Sequence, residues 1–306
     1  MKKLIYALMM PFAGHLKHLQ KAILQVRFYK YYKRKLQWKN PKSFYDKIIW
    51  MSCNADTSLW TWLADKYKVR EYVSARCGEN LLTKLYGVYN MASEINYEKL
   101  PDSFVMKTNN GCASNFLVRD KKNIDTNAIN KQFDKWMKYP YGDLTGQLHY
   151  SAIKPKIIVE ELLVNKSNPT ASLVDYKFYC FNGVPLYCHV LSDRKFNTHD
   201  VNKMMYDIDW VAHPEFLTRY DNMKELPRPS CFEEMKLIAS KLSQNINFVR
   251  VDLYEVNGKV YFGEMTFMPG TDCDYSEATC LKFGQLFDEK QLISADEMRK
   301  KIGLEE

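Results

Sequence analysis

The sequence predicts an α+β protein built from two or three packed lobes. Two stretches, Asp175–Lys195 and Phe248–Gly270, each set a pair of β-rich runs around an Asn-Gly dipeptide, a strong short-range hairpin signal. Between them Glu233–Asn245 is apolar at Met235, Leu237, Ile238 and Leu242, the spacing of an amphipathic helix. A chain of 306 residues with 46% apolar side chains exceeds one small unit and can bury a substantial core. With 26% charged residues it is soluble and globular rather than disordered.

The net charge of +8 is unevenly placed. Residues 1–50 carry twelve Lys or Arg and one acid, Asp46, so the remainder is slightly acidic. That argues against a nucleic-acid-binding body, and no nucleic-acid partner is expected. The eight cysteines form no C-x-x-C and no Cys/His metal spacing, which argues against a zinc site. Reduced cytoplasmic thiols are the expected state, since a chain this large does not need disulfides.

From the start of the chain, Met1–Gly14 imitates a signal peptide, but its apolar run is short and Pro11 interrupts it. We read it as retained. In His15–Lys39, Leu16, Leu19, Ile23 and Val26 recur at helical spacing, followed by the basic, aromatic run RFYKYYKRKLQWK. Such an arm can lie on an anionic membrane surface or dock on the body. On the first reading residues 1–39 localise the protein, and removing them leaves its chemistry intact.

Pro41 marks the first boundary, and residues 43–102 read as mostly helical. Within them stands A-D-K-Y-K-V-R, with Lys66 and Arg70 placed so that they can also be an i,i+4 surface pair. Ser103–Asp120 reads as strand, loop, strand. Lys107 ends the first strand, and the small polar loop Thr108–Asn115 includes Gly111 and Ser114. Backbone N–H groups of such a loop can cradle phosphates while the lysine neutralises charge, although any hairpin can look alike. Asn123–Tyr139 follows as a helix. Pro155–Leu163 is a short buried strand ending in Glu160-Glu161.

In the last hairpin, register decides what the acids can do. A two-residue turn pairing Val256 with Lys259 puts Asp252 opposite Gly263, on the wrong face for Glu264. A three-residue loop, Val256-Asn257-Gly258, instead pairs Asp252 with Phe262. Glu264 is then its diagonal neighbour, roughly 7–8 Å away, sharing a face with Phe262 and Thr266. We expect the second arrangement. Asp252, Glu264 and Thr266 are then all oxygen donors, suited to Mg²⁺ carried on a nucleotide's phosphates. An ordinary acidic strand pair facing solvent fits the same pattern.

R-V-D, a hairpin and G-E-x-T-x-x-P-G resemble the metal-binding end of the ATP-grasp superfamily. Further strings are similar to its TupA-like subgroup from bacterial surface-polysaccharide loci: A-D-K-Y-x-V-R, L-Y-G-V-Y, L-P-D-x-F-V-x-K, I-I-V-E-E-L, D-Y-K-F-Y-C-F-N-G and R-V-D-L-Y. They run from about Asp46 to Phe287 in the family's order. The resemblance implies an ATP-grasp fold, two α+β lobes enclosing ATP, with the basic helical arm as an extension. It divides the chain into 1–42, 43–102, 103–162 and 163–306, the third being the small lobe and the last the metal-bearing lobe. It implies that Lys66, Lys107, Gly111 and Ser114 meet phosphates, and that Glu160, Glu161 and the backbone of Leu163 hold adenine. Asp252, Glu264 and Thr266 would hold Mg²⁺, with Thr266 standing where the family usually has Asn. Lys177, Arg194 and Arg250 would steady the reacting phosphoryl group. The loop reads Asn110-Gly111-Cys112-Ala113 where the subgroup usually has H-G-S-G.

The implied activity is ATP- and Mg²⁺-dependent ligation of a carboxylate to an amine through an acyl phosphate. The expected partners are a uronic-acid-bearing glycan or precursor and an amino acid or other amine, at the cytoplasmic membrane face. A glycosyltransferase using a D-x-D site, at Asp207-Ile208-Asp209 or Asp272-Cys273-Asp274, is the rival from another class. A non-catalytic nucleotide-binding module is the third reading.

Overall fold

Two antiparallel sheets organise the chain, and the computed structural model describes residues 20–195, 200–218, 222–270 and 275–304. The first sheet has β1 (Leu85–Tyr89), β2 (Phe104–Thr108), β3 (Asn115–Val118) and β4 (Ile157–Glu160), in the order β1-β4-β2-β3. The second has β5 (Asp175–Phe181), β6 (Val184–Ser192), β7 (Asn202–Asp207), β8 (Phe248–Val256) and β9 (Lys259–Thr266), in the order β7-β6-β5-β8-β9. The sequence reading passed over β1, inside a stretch taken as mostly helical, and β7. Both are edge strands and short, so their period-2 signal is weak.

Alternation places Val249, Val251 and Leu253 of β8 in the larger core. The helix α7 (Phe232–Ser243) adds Phe232, Met235, Ala239 and Leu242 from one face. A smaller cluster joins Phe104, Met106, Ile157 and Val159 of the first sheet to Ile129 and Phe133 of α5 (Thr126–Met137). Its N-cap Asp125 accepts from the Ala128 N–H, satisfying one otherwise orphaned donor of the first turn.

The last hairpin corrects the expected register. Val256 pairs with Lys259 across a two-residue turn, with Asn257 (φ 54°) and Gly258 (φ 75°) both left-handed. That is the turn that Asn-Gly favours, because its twist matches the flanking strands. A bulge at Gly263 then shifts the pairing by one residue. Leu253 faces Phe262, but Asp252 faces Glu264 directly. Phe262 therefore turns into the core, away from Glu264 and Thr266. A side chain at Gly263 would put its Cβ 2.9 Å from the Asp252 carbonyl oxygen, so the bulge needs glycine.

Of the two readings of the N-terminal arm, docking on the body fits its described part, and residues 20–39 are not the detachable appendage the sequence suggested. In α1 (Gln20–Tyr32), Leu24 and Phe28 are buried at 2% and 0% exposure, while Val26 points outward. Gln20 donates to the Asp143 carbonyl. Arg27 donates to the carbonyls of Leu144 and Thr145 at the end of α6 (Tyr141–Thr145), where a cation is favoured. Arg34 forks onto buried Asp46, 3.1 Å to each carboxylate oxygen, and onto Ser43, the N-cap of α2 (Phe44–Asn54). The helix α2, α3 (Ser58–Ala64) and α4 (Val69–Cys77) continue this layer. The tail closes it with α8 (Glu277–Gly284) and α9 (Ala295–Ile302).

Candidate active site

A row of polar side chains crosses the second sheet. Cross-strand pairing sets His189, Lys177, Asp252 and Glu264 opposite one another along β6, β5, β8 and β9. The neighbouring row brings Arg250 opposite Thr266. Lys177 Nζ lies 2.5 Å from Asp252 Oδ2, and Arg250 grips both Asp252 oxygens at 2.6 Å. Arg250 Nη2 also donates to Glu264 at 3.1 Å and to Thr266 Oγ1 at 3.0 Å, and the threonine hydroxyl donates to Glu264 at 3.0 Å. Asp175, two residues before Lys177 and so on the same face, lies 3.7 Å from its ammonium and accepts from Arg194 at 3.1 Å. Arg194 is half exposed and sits at the margin.

Burial works against the charged form of Lys177, but Asp252 and Asp175 overcome it and raise its pKa. Arg250 is likewise held up against burial by Asp252 and Tyr179. Burial pushes the Asp252 carboxyl up, with Arg250 and Lys177 pulling against it. Burial acts the same way on Glu264, yet Lys66, Arg250 and Lys177 outweigh it and bring that carboxyl down to about 2. The neighbouring His189 is lowered to about 3 by burial and by the charges of Lys177 and Arg250, so it is neutral.

The loop after β2 faces this cluster. Asn109, wholly buried, anchors it: its amide donates to Asp65 at 3.0 Å and to the Lys154 carbonyl at 3.1 Å, and accepts from the Lys156 N–H at 2.7 Å. Lys66 Nζ donates to the Gly111 carbonyl at 2.5 Å and lies 4.0 Å from Glu264, so one lysine links loop and hairpin. Gly111 packs on Tyr141, whose ring would be 2.9 Å from an added Cβ. Ser114 shares a hydrogen bond with Thr108, and Cys112 is exposed. Lys66 and Arg70 are not a surface pair, because the chain turns at Asp65 before α4 begins and sends them to different partners.

Lys107, at the end of β2, lies 2.5 Å from Glu160 Oε2, and Arg70 holds Glu160 Oε1 at 2.8 Å. The Glu160 carboxylate is thus turned between two cations. Glu161 accepts from the Lys84 N–H and its own N–H donates to the Lys84 carbonyl. Leu163 is half-buried in the irregular stretch beyond β4.

Lys66, in the turn before α4, thus ties the polar loop of the first sheet to the acidic hairpin of the second, and Lys107 sits beside that loop on β2. A family model for TupA-like ATP-grasp proteins matches residues 46–287, a span holding every residue of this site. The chain belongs to the TupA-like ATP-grasp family. Comparison with curated proteins finds no match. Among solved structures, the chain is similar to D-alanine–D-alanine ligase from Bacillus anthracis complexed with ATP, at 12% identity over 80% of this chain and 69% of that one, TM-score 0.44. It is also similar to the Helicobacter pylori D-alanine–D-alanine ligase (14% identity, 75% and 60% covered, TM-score 0.39). A third is phosphoribosylamine–glycine ligase from Thermotoga maritima (13%, 67% and 48%, TM-score 0.42), of which the chain spans about half.

The ATP-grasp family implies ATP and Mg²⁺, and the residues fit. Asp252 and Glu264 face each other with the Thr266 hydroxyl beside them, a hard-oxygen donor set. Among the described residues no group of three or more His, Cys, Asp or Glu side chains is placed to hold a metal. Two carboxylates suit Mg²⁺ that keeps waters and phosphate oxygens in its shell. Asp207, half of one D-x-D motif, instead closes a turn, accepting from the Asp209 and Val211 N–H groups and from His213. Residues 272–274, the other D-x-D, lie outside the described residues.

Asp65, Asn109 and Asp175 are site residues that sequence reasoning missed. Asp175 was visible by the period-2 rule, two residues before Lys177. Asp65 and Asn109 join only because α3 and the β2 loop meet in space.

The Glu264 shift yields a pH prediction. Its folded pKa, about 2, lies below the ordinary 4.5, so its ion pairs stabilise fully above the ordinary value and are lost as pH falls toward 2. The stability gap between wild type and Glu264→Gln, followed by thermal melts, is expected to narrow across that window. A gap independent of pH there would disprove the assignment.

Proposed function

We propose that this ATP-grasp protein joins an amino acid or related amine to the carboxylate of a uronic-acid-containing glycan or its precursor, in cell-surface polysaccharide synthesis. The observation that carries the reading is the direct opposition of Asp252 and Glu264 inside a ring of Lys66, Lys177 and Arg250. Buried ionic clusters of this kind are poor devices for stability and are common at functional sites. In this reading Asp252, Glu264 and Thr266 hold Mg²⁺, which when bound offsets charge on the phosphates. Lys66, Lys107 and the Gly111–Ser114 loop hold the phosphates; Glu161 and the Leu163 backbone hold adenine, whereas Glu160, expected to share that role, has its carboxylate taken by Arg70 and Lys107. Lys177, Arg194 and Arg250 orient and neutralise the group that moves from ATP to the substrate carboxylate. The amine then displaces phosphate, so no protein nucleophile is needed.

The test is a phosphate-release screen of sugar acids against amino acids with ATP and Mg²⁺. Release that requires both an acid and an amine is expected, and Lys107→Met should weaken ATP binding by about 1.5–3 kcal/mol, the range for a charge-assisted hydrogen bond. Consumption of a nucleotide sugar without ATP turnover would overturn the ligase reading in favour of a glycosyltransferase. ATP binding without turnover on any pair would favour a binding module.

We place the protein in the cytoplasm, against the inner membrane face. No described helix is long and apolar enough to cross a membrane. The outer face of α1 and the segment after it expose Val26 and Tyr29 with Lys21, Lys30, Lys33 and Lys35. Each such lysine near an anionic surface gains about 1 kcal/mol. Reversing Lys30, Lys33 and Lys35 to Glu is expected to abolish salt-sensitive binding to phosphatidylserine vesicles, and unchanged binding would remove the proposal.

A further inference from the structure

Glu160 is 4% exposed and has one oxygen on each of two cations: Oε1 on Arg70 and Oε2 on Lys107. The two cations differ in freedom. Arg70 is 17% exposed, and its second terminal nitrogen donates to the Thr83 carbonyl at 2.7 Å. Lys107 is 25% exposed, and among the described residues its ammonium pairs with Glu160. Glu160 pairs with Val105 across the sheet, so Lys107, two residues on, is its diagonal neighbour on the same face. A phosphate that draws the Lys107 ammonium away from the strand weakens its pair with Glu160.

We propose that Arg70 is a positioning residue for nucleotide binding: it holds the Glu160 carboxylate when Lys107 transfers to a phosphate of ATP. This rests on the reading of Lys107 as a phosphate ligand. Without a second counter-ion, the transfer would leave a buried carboxylate uncompensated, the costly half of breaking any buried ion pair. Arg70 removes that penalty because a guanidinium is always charged and can grip a carboxylate and a carbonyl at once. Its place also calls for such a partner. Arg70 lies in the first turn of α4, where the helix dipole disfavours a cation.

The experiment measures ATP affinity by calorimetry with Mg²⁺, and kcat and KM for ATP, on the full chain carrying Arg70→Met, Glu160→Gln, both together, or Lys107→Met. Arg70→Met is expected to weaken ATP binding at least ~10-fold, about 1.4 kcal/mol. The loss falls on KM, with kcat at saturating ATP nearly kept. In the Glu160→Gln background Arg70→Met is expected to change affinity little, because no carboxylate remains to be stranded. Arg70→Lys should recover only part of the affinity, since an ammonium cannot span Glu160 and Thr83 as the fork does. If Arg70→Met does not fold, Arg70→Lys with and without Glu160→Gln completes the same cycle.

Wild-type affinity in Arg70→Met, or the same loss in both backgrounds, overturns the proposal; the second result would put Arg70 on the nucleotide itself. Lys107→Met binding ATP like the wild type overturns the phosphate reading, and this inference with it. Lys107→Met weakened beside an unaffected Arg70→Met overturns this inference alone.

Discussion

Asp252→Asn is expected to abolish ATP turnover and also to destabilise the empty protein, whereas Glu264→Gln should lose turnover and keep more of the fold. Asp252 has a side chain 2% exposed and is the shared counter-ion of Arg250 and Lys177, both strongly buried. Neutralising it strands two cations, and breaking one buried pair typically costs about 3–5 kcal/mol. Glu264 is 28% exposed, and water can take over part of its role toward Lys66 and Arg250. Each substitution removes one of the two carboxylates facing the proposed Mg²⁺. A loss of at least ~10²-fold in turnover is expected, on the scale of removing one preorganised charge-stabilising group. Phosphate release and urea unfolding on both variants provide the check. Turnover within tenfold of wild type in either one would sink the metal assignment, and equal stabilities would refute the counter-ion role of Asp252.

The second large effect is at the N-terminal arm. Phe28→Ala is expected to cost about 3–5 kcal/mol, since the ring is fully buried and its removal leaves a cavity. The ring stacks on Tyr32 with centroids 4.6 Å apart, and the Arg34 guanidinium lies 4.8 Å from its centre. Deleting residues 1–39 removes Leu24, Phe28, Leu36 and the Arg34 fork on Asp46 together. The truncated protein is therefore expected to unfold or aggregate rather than retain turnover as a trimmed enzyme. Circular dichroism melts of both variants decide it. A folded, active truncation would show that the arm is only an appendage.

The arm also shows why sequence reading stops where it does. Basic and aromatic residues at helical spacing predict a helix, and α1 is one. The pattern assigns its apolar side to Ile23 and Val26, yet Leu24 and Phe28 are the buried pair. Both pairs fit a helical period, and only the surface offered by α2 and by the end of α6 chooses between them.

The sequence by itself determined the α+β class, both Asn-Gly hairpins, α5 and α7, and the family strings around Lys66, Lys107, Lys177, Asp252 and Glu264. These are local properties: period-2 or helical alternation, turn residues that tolerate positive φ, and short motifs read along the chain. Tertiary structure decided the rest. The Gly263 bulge sets Asp252 against Glu264; a glycine inside a strand hints at a bulge, but a bulge at Gly263 and one at the turn fit nearly the same alternation, so the register is settled only by packing. The Arg70–Glu160–Lys107 group joins a helix to two strands from distant parts of the chain. Buried charges select their partners by what packing leaves within reach once water is excluded, and that is settled only when the two sheets and their helices come together.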